Sequence, residues 1–304
     1  MRIYVAGHTG MLGSAIVRAL TARGGHELVH IHPSIDLCND GATYEYFRIK
    51  RPDYVFMAAG KVGGIQANID NPAQFLGDNA RMAMNVIDAC KEYGAKLCYV
   101  GSSCVYPREC PQPMREDMLM TGVPEKTNEA YALSKIVGLK YAEYVLGDNH
   151  VAPMPPNLYG VNDHFGQNGH VFASLVRRFV DAVESDSEVV TLWGSGLARR
   201  EFLNVDAAAK GLIFLMENNV TGMINMGSGE DFSIQELAAM IAKSTGYKGE
   251  IEWDTSKPSG MPRKLLDSSR INAMGWKPEI GMVIGIRQMI EQYRAIKVTR
   301  LAQP

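Results

Sequence analysis

A phenol and an ammonium group stand one helical turn apart in this sequence. Tyr131 and Lys135 bracket the segment Tyr-Ala-Leu-Ser-Lys, which has a helical pattern, so we expect their side chains to share one helix face. A phenol has a pKa near ~10, and a neighbouring ammonium lowers that value by stabilising the phenolate. We therefore expect Tyr131 to exchange a proton with a carbonyl oxygen while a hydride reaches the carbonyl carbon.

The position of this pair matters more than its spacing, because Tyr293 and Lys297 repeat the spacing near the C-terminus, where no such role is expected. The pair at 131 and 135 instead follows Ser102, which comes directly after an apolar run. Sites in open α/β sheets lie at the carboxyl ends of strands. Ser102 is therefore expected to orient the carbonyl through its hydroxyl, which completes a reductase set.

A glycine-rich turn near the N-terminus has the spacing G-x-x-G-x-x-G. Glycines so spaced permit a tight turn, close approach of a pyrophosphate, and packing of helix on strand. The helix that follows adds free N–H donors and a partial positive charge. Lys135 is expected to hydrogen-bond the nicotinamide ribose of the same dinucleotide. The predicted cofactor-binding residues are Gly7, Thr9, Gly10, Met11, Leu12, Gly13 and Lys135.

The choice between the two nicotinamide cofactors depends on the end of the second predicted strand. Residues 30–34 read His-Ile-His-Pro-Ser, and no acid appears before Asp36. An acid at this point would bind the ribose hydroxyls of NAD, so its absence favours NADP(H). No arginine stands there to hold a 2′-phosphate, and NAD(H) therefore remains the alternative.

Short apolar runs alternate with helical patterns through the first half of the chain. Runs of this kind are typical of strands buried on both faces of a parallel sheet. Strands are predicted at residues 2–6, 27–31, 53–58, 96–101 and 151–154, and helices at 11–23, 42–50, 72–93 and 130–146. Asn71 and Gly94 are expected to cap the helix at 72–93. The alternation predicts a doubly wound, Rossmann-like α/β domain.

The second half has a different pattern, which predicts a smaller α+β substrate domain. A helix is expected at 170–185, a strand at 189–193, and a helix at 233–245 whose start has a capping box of Ser233 and Glu236. We expect the domains to interleave. Residues 1–161 with about 199–224 would form the dinucleotide-binding domain, and 162–198 with 225–304 the substrate domain.

The composition argues against several partners. The 304 residues include 31 Lys+Arg and 33 Asp+Glu, a net charge of −2, so nothing favours nucleic acid. No run reaches the ~18 apolar residues that a membrane span requires. The five cysteines are odd in number and lack metal-site spacing, which indicates free thiols, no metal and a cytoplasmic protein.

Several strings resemble the GDP-L-fucose synthase family of extended short-chain dehydrogenase/reductases. The resemblance extends from Met1 to about Pro278. Besides the glycine turn and the Tyr-x-x-x-Lys segment, the strings are AGKVGGI at 59–65, SSCVYP at 102–107, NLYG at 157–160, WGSG at 193–196, REFL at 200–203 and PRKLLD at 262–267.

The resemblance implies that GDP-4-keto-6-deoxy-D-mannose is inverted at C3 and C5, then reduced at C4 with NADPH. It implies Cys104 and His170 as the epimerisation pair. Hydrogens beside a ketone are acidic because the carbanion becomes an enolate. A thiol and an imidazole, with pKa values near ~8.5 and ~6.5, suit the base and the acid. Tyr131 would stabilise the enolate oxygen before it serves the reduction.

The resemblance also implies a GDP-sugar site, in which cations bind the diphosphate, and a homodimer formed through the helices at 72–93 and 130–146. The implied substrate-binding residues are Asn157, Arg178, Trp193, Arg200 and Lys264. Arginines usual in the family are replaced here at Thr9, His32 and Pro33, and Pro156 replaces a usual threonine. The first changes keep NAD(H) open, and Pro156 keeps the exact sugar open.

Four alternatives remain. A colitose-type or heptose-type GDP-4-keto-sugar enzyme would use the same scaffold, as would a reductase without epimerase activity. A 4,6-dehydratase is disfavoured, because its Asp-Glu pair is replaced by Ser103-Cys104. A non-enzymatic NAD(P)-sensing protein is also disfavoured, because such proteins typically lose the tyrosine or lysine that this chain keeps.

Overall fold

The computed structural model describes residues 1–29, 35–166, 169–256 and 261–301. Its strands are β1 (Arg2–Ala6), β2 (Glu27–Leu28), β3 (Tyr54–Met57), β4 (Lys96–Tyr99), β5 (His150–Met154), β6 (Asn157–Tyr159), β7 (Val189–Trp193), β8 (Arg199–Asn204), β9 (Gly222–Asn225), β10 (Asp231–Ser233), β11 (Glu250–Asp254) and β12 (Arg263–Lys264). Its helices are α1 (Met11–Arg23), α2 (Asp40–Lys50), α3 (Ile65–Asp70), α4 (Pro72–Tyr93), α5 (Glu129–Leu146), α6 (Val171–Glu184), α7 (Val205–Glu217), α8 (Ile234–Thr245), α9 (Ser269–Ala273) and α10 (Met282–Leu301).

The main sheet has six parallel strands in the order β2-β1-β3-β4-β5-β9. Side chains along β1 alternate between its faces: Ile3 and Val5 pack with α1 and α7, whereas Tyr4 and Ala6 pack with α2 and α4. Burial on both faces explains why these strands read as continuous apolar runs. The predicted doubly wound, Rossmann-like fold is confirmed.

The smaller α+β part contains two further sheets. One joins β10, β8 and β12, with β6 paired to β8, and the other pairs β7 with β11. Helices α6, α8 and α10 share one apolar core, to which Phe172, Phe179, Leu237, Ile241 and Met289 contribute. The capping box of Ser233 and Glu236 at the start of α8 is confirmed.

The chain passes between the two parts more than once. After β8 it returns to pack α7 on α1, where Asp206 Oδ1 accepts a hydrogen bond of 2.5 Å from Arg18 Nη2. It then adds β9 to the main sheet. In the loop after β6, Asn162 Nδ2 donates to Ser14 Oγ at 2.9 Å, which ties this loop to α1.

The expected ends of α4 are confirmed. Asn71 is the N-cap residue of α4, although its side chain makes no capping hydrogen bond and its Nδ2 donates to the Ala67 carbonyl. The reason is that Asn71 also ends α3, so it serves two helices at once. Gly94 does end α4, in the left-handed conformation. The strand β9 was not predicted, because Gly-Met-Ile-Asn is short and starts with glycine. Residues 30–34, assigned partly to the second strand, lie outside the described residues.

No helix in the described residues is both long enough and apolar enough to cross a membrane.

Helix α5, which carries Tyr131 and Lys135, packs closely on β4 because of Gly138. A methyl group added there would lie 2.5 Å from Tyr99 Cζ and 3.0 Å from the Ala83 side chain. These distances are well inside normal contact, so the glycine allows the close approach.

We expect Gly138→Ala to lower the free energy of unfolding by about 1–3 kcal/mol, the usual cost of overpacking a core. Denaturant unfolding followed by circular dichroism measures the change. Gly281→Ala is the matched control, because a methyl there meets nothing within 4 Å. Equal stability of the two variants would contradict this packing account.

Candidate active site

The glycine turn between β1 and α1 contains two glycines that the fold itself requires. Gly7 has φ +80°, and a methyl on it would lie 2.8 Å from the backbone of Ala59. A methyl on Gly13 would lie 2.6 Å from the carbonyl carbon of Gly7. Gly10 differs, because a methyl there meets nothing closer than Gly7 O at 3.4 Å. The space beside Gly10 is therefore left open by the protein.

The first turn of α1 is suited to an anion. Gly10 is its N-cap and offers no side-chain hydrogen bond, so no capping side chain occupies the N–H groups at this end. Those N–H groups and the positive end of the helix dipole favour a phosphate group. Met11 and Leu12 lie in this turn. The turn therefore fits the pyrophosphate of a dinucleotide.

A cleft of about 180 Å³ extends from this turn. Gly7 and Thr9 line it, together with residues that were not predicted as cofactor contacts: Tyr4, His8, Ile35, Asp36, Leu37, Tyr46, Ala59 and Met82. Its shape and place at the end of β1 suit the adenosine half of a dinucleotide. The sequence-based preference for NADP(H) depended on residues 30–34, which lie outside the described residues.

Tyr131 and Lys135 lie at the carboxyl end of β4. The ammonium of Lys135 is buried, 6% exposed, and donates to the Val100 carbonyl at 2.8 Å. It lies 5.8 Å from the centre of the Tyr131 ring. Helix α5 thus places the phenol and the ammonium close to each other at the end of β4, which is where they were expected from the sequence.

The protonation of Tyr131 differs from the sequence-based expectation. Burial raises the pKa of its phenol well above the usual value, and nearby Cys104 and Tyr99 raise it further. The expected lowering by Lys135 is wrong, because the ammonium faces the ring and donates to Val100. The phenol therefore stays protonated near neutral pH and can act as a proton donor. Burial also lowers the pKa of Lys135 to about 8.

The segment after β4 is held by two backbone hydrogen bonds to the end of β5. Gly101 N–H donates to the Pro153 carbonyl at 2.9 Å, and Ser103 N–H donates to the Pro155 carbonyl at 3.0 Å. A short 3₁₀ turn follows, in which Ser102 Oγ accepts from the Cys104 N–H at 3.3 Å. This turn fixes the serine hydroxyl and the buried thiol beside each other.

Cys104 lies among cations. Burial raises the pKa of its thiol, while Lys264, the hydrogen bond to Ser102 and Lys135 each lower it. The thiol is therefore the resting form, and two ammonium groups are in place to stabilise the thiolate. Burial in turn lowers the pKa of Lys264. Ser102, Cys104, Tyr131, Lys135 and Lys264 form one group, which we call the catalytic cluster.

Three of the predicted substrate-binding residues lie on the small sheet, and one of them, Lys264, belongs to this cluster. Lys264 of β12 pairs in register with Arg200 of β8. Asn157 on β6 donates from Nδ2 to the Glu201 carbonyl at 3.1 Å. Burial lowers the pKa of the Arg200 guanidinium, as expected for a cation held in a partly desolvated site.

Arg178 and Trp193 form a second group, at the junction of α6 and β7. Arg178 Nη1 donates to the Thr191 carbonyl at 2.8 Å. Trp193 ends β7 and is 62% exposed. An exposed indole can stack on a nucleobase, and a guanidinium can bind a phosphate.

His170 is the N-cap residue of α6, one position before the start of that helix. Its Nδ1 lies 3.8 Å from Oδ1 of Asp163. His170 thus contacts an acid on its own loop, whereas Cys104 belongs to the catalytic cluster.

Sequence reasoning missed three polar residues around the site. Glu125 is buried, lies 3.5 Å from Arg108, and acts electrostatically on Arg200 and Lys264. Asp163 contacts His170. These acids stand singly, without a spacing pattern that would have identified them.

Asn79, the third, holds the segment after β3 in place: its Oδ1 accepts from Lys61 N–H at 2.6 Å and its Nδ2 donates to Lys61 O at 3.0 Å. An asparagine on the buried face of α4 was a visible signal in the sequence.

In the described residues, no three His, Cys, Asp or Glu side chains form a group able to hold a metal ion.

Comparison with known proteins places the chain among nucleotide-sugar enzymes. The pattern of the NAD dependent epimerase/dehydratase family matches residues 3–227. The chain is 44% identical over 300 residues to the putative GDP-L-fucose synthase 2 of Arabidopsis thaliana, covering 96% of this chain and 91% of that protein. It is 44% identical over 301 residues to the GDP-L-fucose synthase of Escherichia coli, covering 94% of each.

A solved structure is similar throughout its length. The GDP-mannoheptose C4 reductase of Campylobacter jejuni with NADP bound has a TM-score of 0.86 and 31% identity to this chain, with 96% of this chain and 98% of that one covered.

Alanine substitutions at Gly10 and Gly13 distinguish a glycine that a ligand approaches from a glycine that the fold requires. We expect Gly10→Ala to leave unfolding nearly unchanged but to weaken dinucleotide binding about tenfold or more, because the methyl enters the phosphate's approach. Gly13→Ala should lower the free energy of unfolding by about 1–3 kcal/mol even without ligand. Thermal unfolding with and without NADPH measures both. If Gly10→Ala binds NADPH normally, the phosphate does not approach at this turn.

Proposed function

Because the chain belongs to the NAD-dependent epimerase/dehydratase family, we propose that it makes GDP-L-fucose from GDP-4-keto-6-deoxy-D-mannose, by epimerisation at C3 and C5 and reduction at C4. The observation that carries this proposal is the buried thiol of Cys104 between Lys135 and Lys264, beside Tyr131. A simple reductase needs the phenol and the ammonium; the thiol in the same cluster adds a proton-transfer group for carbons beside the ketone.

The cofactor is NADP(H), which the similar heptose reductase also binds. When bound, it supplies the hydride for C4. The space beside Gly10 leaves room for its pyrophosphate, and Gly7 and Gly13 shape the turn that approaches it. Met11 and Leu12 lie in the helix turn, and Thr9 lies on the cleft wall. Lys135 would hydrogen-bond the nicotinamide ribose.

In the reduction, Tyr131 donates the phenol proton to the C4 oxygen. Burial keeps the pKa of this phenol high, so the proton is available across the neutral range. Ser102 donates its hydroxyl hydrogen bond to the same oxygen and so orients the ketone. The positive charge of Lys135, 5.8 Å from the ring centre, stabilises the phenolate that is left, and a proton from solvent then restores the phenol.

In the epimerisation, Cys104 acts as the base and His170 as the acid on the opposite face. The thiolate takes a proton from a carbon beside the ketone, leaving an enolate. Tyr131 hydrogen-bonds the enolate oxygen, and the imidazolium returns a proton from the other side. Lys264 and Lys135 stabilise the thiolate by their charge.

The GDP-sugar is bound by cations and an aromatic ring. Arg178 and Arg200 face the diphosphate, Lys264 lies between the diphosphate and the sugar, and Trp193 stacks on the base. Asn157 hydrogen-bonds the sugar. The substrate domain comprises residues 162–198 and 225–304, and the dinucleotide-binding domain comprises 1–161 with about 199–224.

The protein acts as a cytoplasmic homodimer, without nucleic acid or membrane partners. Support for the dimer comes from apolar side chains left exposed on α4 and α5, namely Leu76, Leu133, Val137 and Tyr144. Support for the cytoplasm comes from the five cysteines, all free thiols.

A second candidate is a related GDP-4-keto-sugar enzyme of the colitose or heptose type. Pro156, buried directly before Asn157, is the observation that favours it, since proline removes the hydroxyl that the family usually has beneath the sugar.

The test is incubation of the chain with GDP-4-keto-6-deoxymannose and NADPH, with the product identified by NMR. We expect GDP-L-fucose. We expect Tyr131→Phe to slow the oxidation of NADPH by about a hundredfold or more, because the proton donor is lost, while NADPH binding stays nearly intact. A product with the unchanged configuration at C3 and C5 would reject the epimerase assignment, and normal turnover by Tyr131→Phe would reject the reductase assignment.

The role of Cys104 is tested by deuterium uptake from heavy water into the 4-keto sugar, measured without NADPH. We expect Cys104→Ser to reduce uptake at C3 and C5 by about a hundredfold or more. In the unchanged chain, uptake should rise as the pH is raised above neutrality, because the base is a thiolate and burial raises the pKa of the Cys104 thiol. Cys110→Ser, in the loop before α5, is the control. Unchanged uptake in Cys104→Ser would exclude the thiol as the base.

A further inference from the structure

Asp163, in the loop between β6 and α6, is a buried carboxylate with an incomplete set of partners. Its side chain is 2% exposed. Oδ1 accepts the His164 N–H at 2.7 Å. Oδ2 is buried and has no hydrogen-bond partner among the described residues. An ionised carboxylate buried in this way is costly unless a cation or a further donor faces it.

The basic side chain that contacts this carboxylate is His170. The distance from His170 Nδ1 to Asp163 Oδ1 is 3.8 Å, close enough for an ion pair and slightly too long for a hydrogen bond. Contacts of this kind are often long before substrate binds and shorten in the reactive complex. A small rotation of the ring would bring Nδ1–H within hydrogen-bond distance of Oδ1.

The arrangement leaves the other ring nitrogen available. Because Nδ1 faces the buried carboxylate, Nε2 lies on the far side of a ring whose side chain is 43% exposed. A carboxylate accepts but cannot donate a hydrogen bond. It therefore selects the tautomer with the proton on Nδ1 and leaves Nε2 as the nitrogen that gains and loses a proton.

The loop is fixed independently of His170. Asp163 N–H donates to the Gly160 carbonyl at 3.1 Å. The neighbouring Asn162 has φ +70° and donates from Nδ2 to Ser14 Oγ on α1. The carboxylate is thus held by the backbone and by the dinucleotide-binding domain, so it can impose an orientation on the ring rather than follow it.

We propose that Asp163 is a positioning residue that holds His170 in the Nδ1–H tautomer, with Nε2 directed to the sugar. The catalytic part of this inference rests on the proposed function, because His170 serves there as the acid of the epimerisation. The structural part concerns the tautomer alone and stands apart from any substrate.

The tautomer is measured on the full chain by NMR after labelling the histidine rings with a nitrogen isotope. At about pH 8 neutral imidazoles predominate, and the two ring nitrogens then have distinct shifts. The His170→Asn variant identifies the His170 signal. We expect the unchanged chain to have the Nδ1–H form. The Nε2–H form, or an even mixture, would overturn the inference without any need for an Asp163 variant.

The Asp163→Asn variant then tests the consequence for catalysis. Its amide can still accept the His164 N–H, but its NH₂ group favours the opposite tautomer of His170. We expect the His170 signal to change tautomer and the maximal rate of deuterium uptake to fall about tenfold to a hundredfold, with KM for the GDP-sugar within about twofold. A purely structural role would change stability and KM but leave the tautomer as it was.

Asp181→Asn is the matched control. Asp181 lies on α6, the helix that His170 caps, and its carboxylate accepts hydrogen bonds from Tyr293 and Lys297 of α10. It should leave the His170 tautomer and the uptake rate unchanged. Equal effects of the two variants, or an unchanged uptake rate in Asp163→Asn, would overturn the positioning role. If the unchanged chain took up no deuterium at all, the proposed function would fail while the tautomer result would still decide the structural part.

Discussion

The buried ammonium of Lys135 is the constraint on which the site depends. A charge removed from water is costly unless its donors are used, and this one donates to the Val100 carbonyl just beyond the end of β4. The centres of the Tyr99 and Tyr131 rings lie 5.2 and 5.8 Å from Nζ. Gly138, one turn further along α5, allows the helix to come close enough for this contact. The position of the phenol thus follows from where the lysine can be satisfied.

The cost of burying charged groups also explains the arrangement of the other cations near the cluster. Lys264 and Arg200 stand side by side on neighbouring strands, and burial lowers the pKa of both. Glu125 supplies the nearby negative charge that offsets part of their repulsion. Such a group of cations favours a diphosphate, a thiolate or an enolate in the same region. One electrostatic arrangement therefore serves substrate binding and both stages of the proposed chemistry.

Most of the fold could be predicted, because the relevant signals are local. Buried strands, the glycine turn and the caps at Gly94 and Ser233 depend on residues within one or two turns of each other. Prediction failed where a strand is short and its pairing is long-range, as for β9. The residues of the candidate site could be predicted from short sequence motifs and from their positions relative to the predicted strands. Their electrostatics could not: the protonation of Tyr131 depends on burial and on Cys104, which sequence spacing does not reveal.

The place of β9 at the edge of the main sheet affects how the chain is made. Strand β5 is buried along its whole length, and its outer partner, β9, comes about seventy residues later in the sequence. During synthesis, the chain that has emerged as far as β5 therefore has an apolar sheet edge with unpaired backbone groups. This edge stays uncovered until β9 emerges. Such an edge invites pairing with other nascent chains. Because the two parts of the fold alternate along the chain, the solubility of the growing polypeptide depends on how soon the four-residue strand β9 pairs with β5.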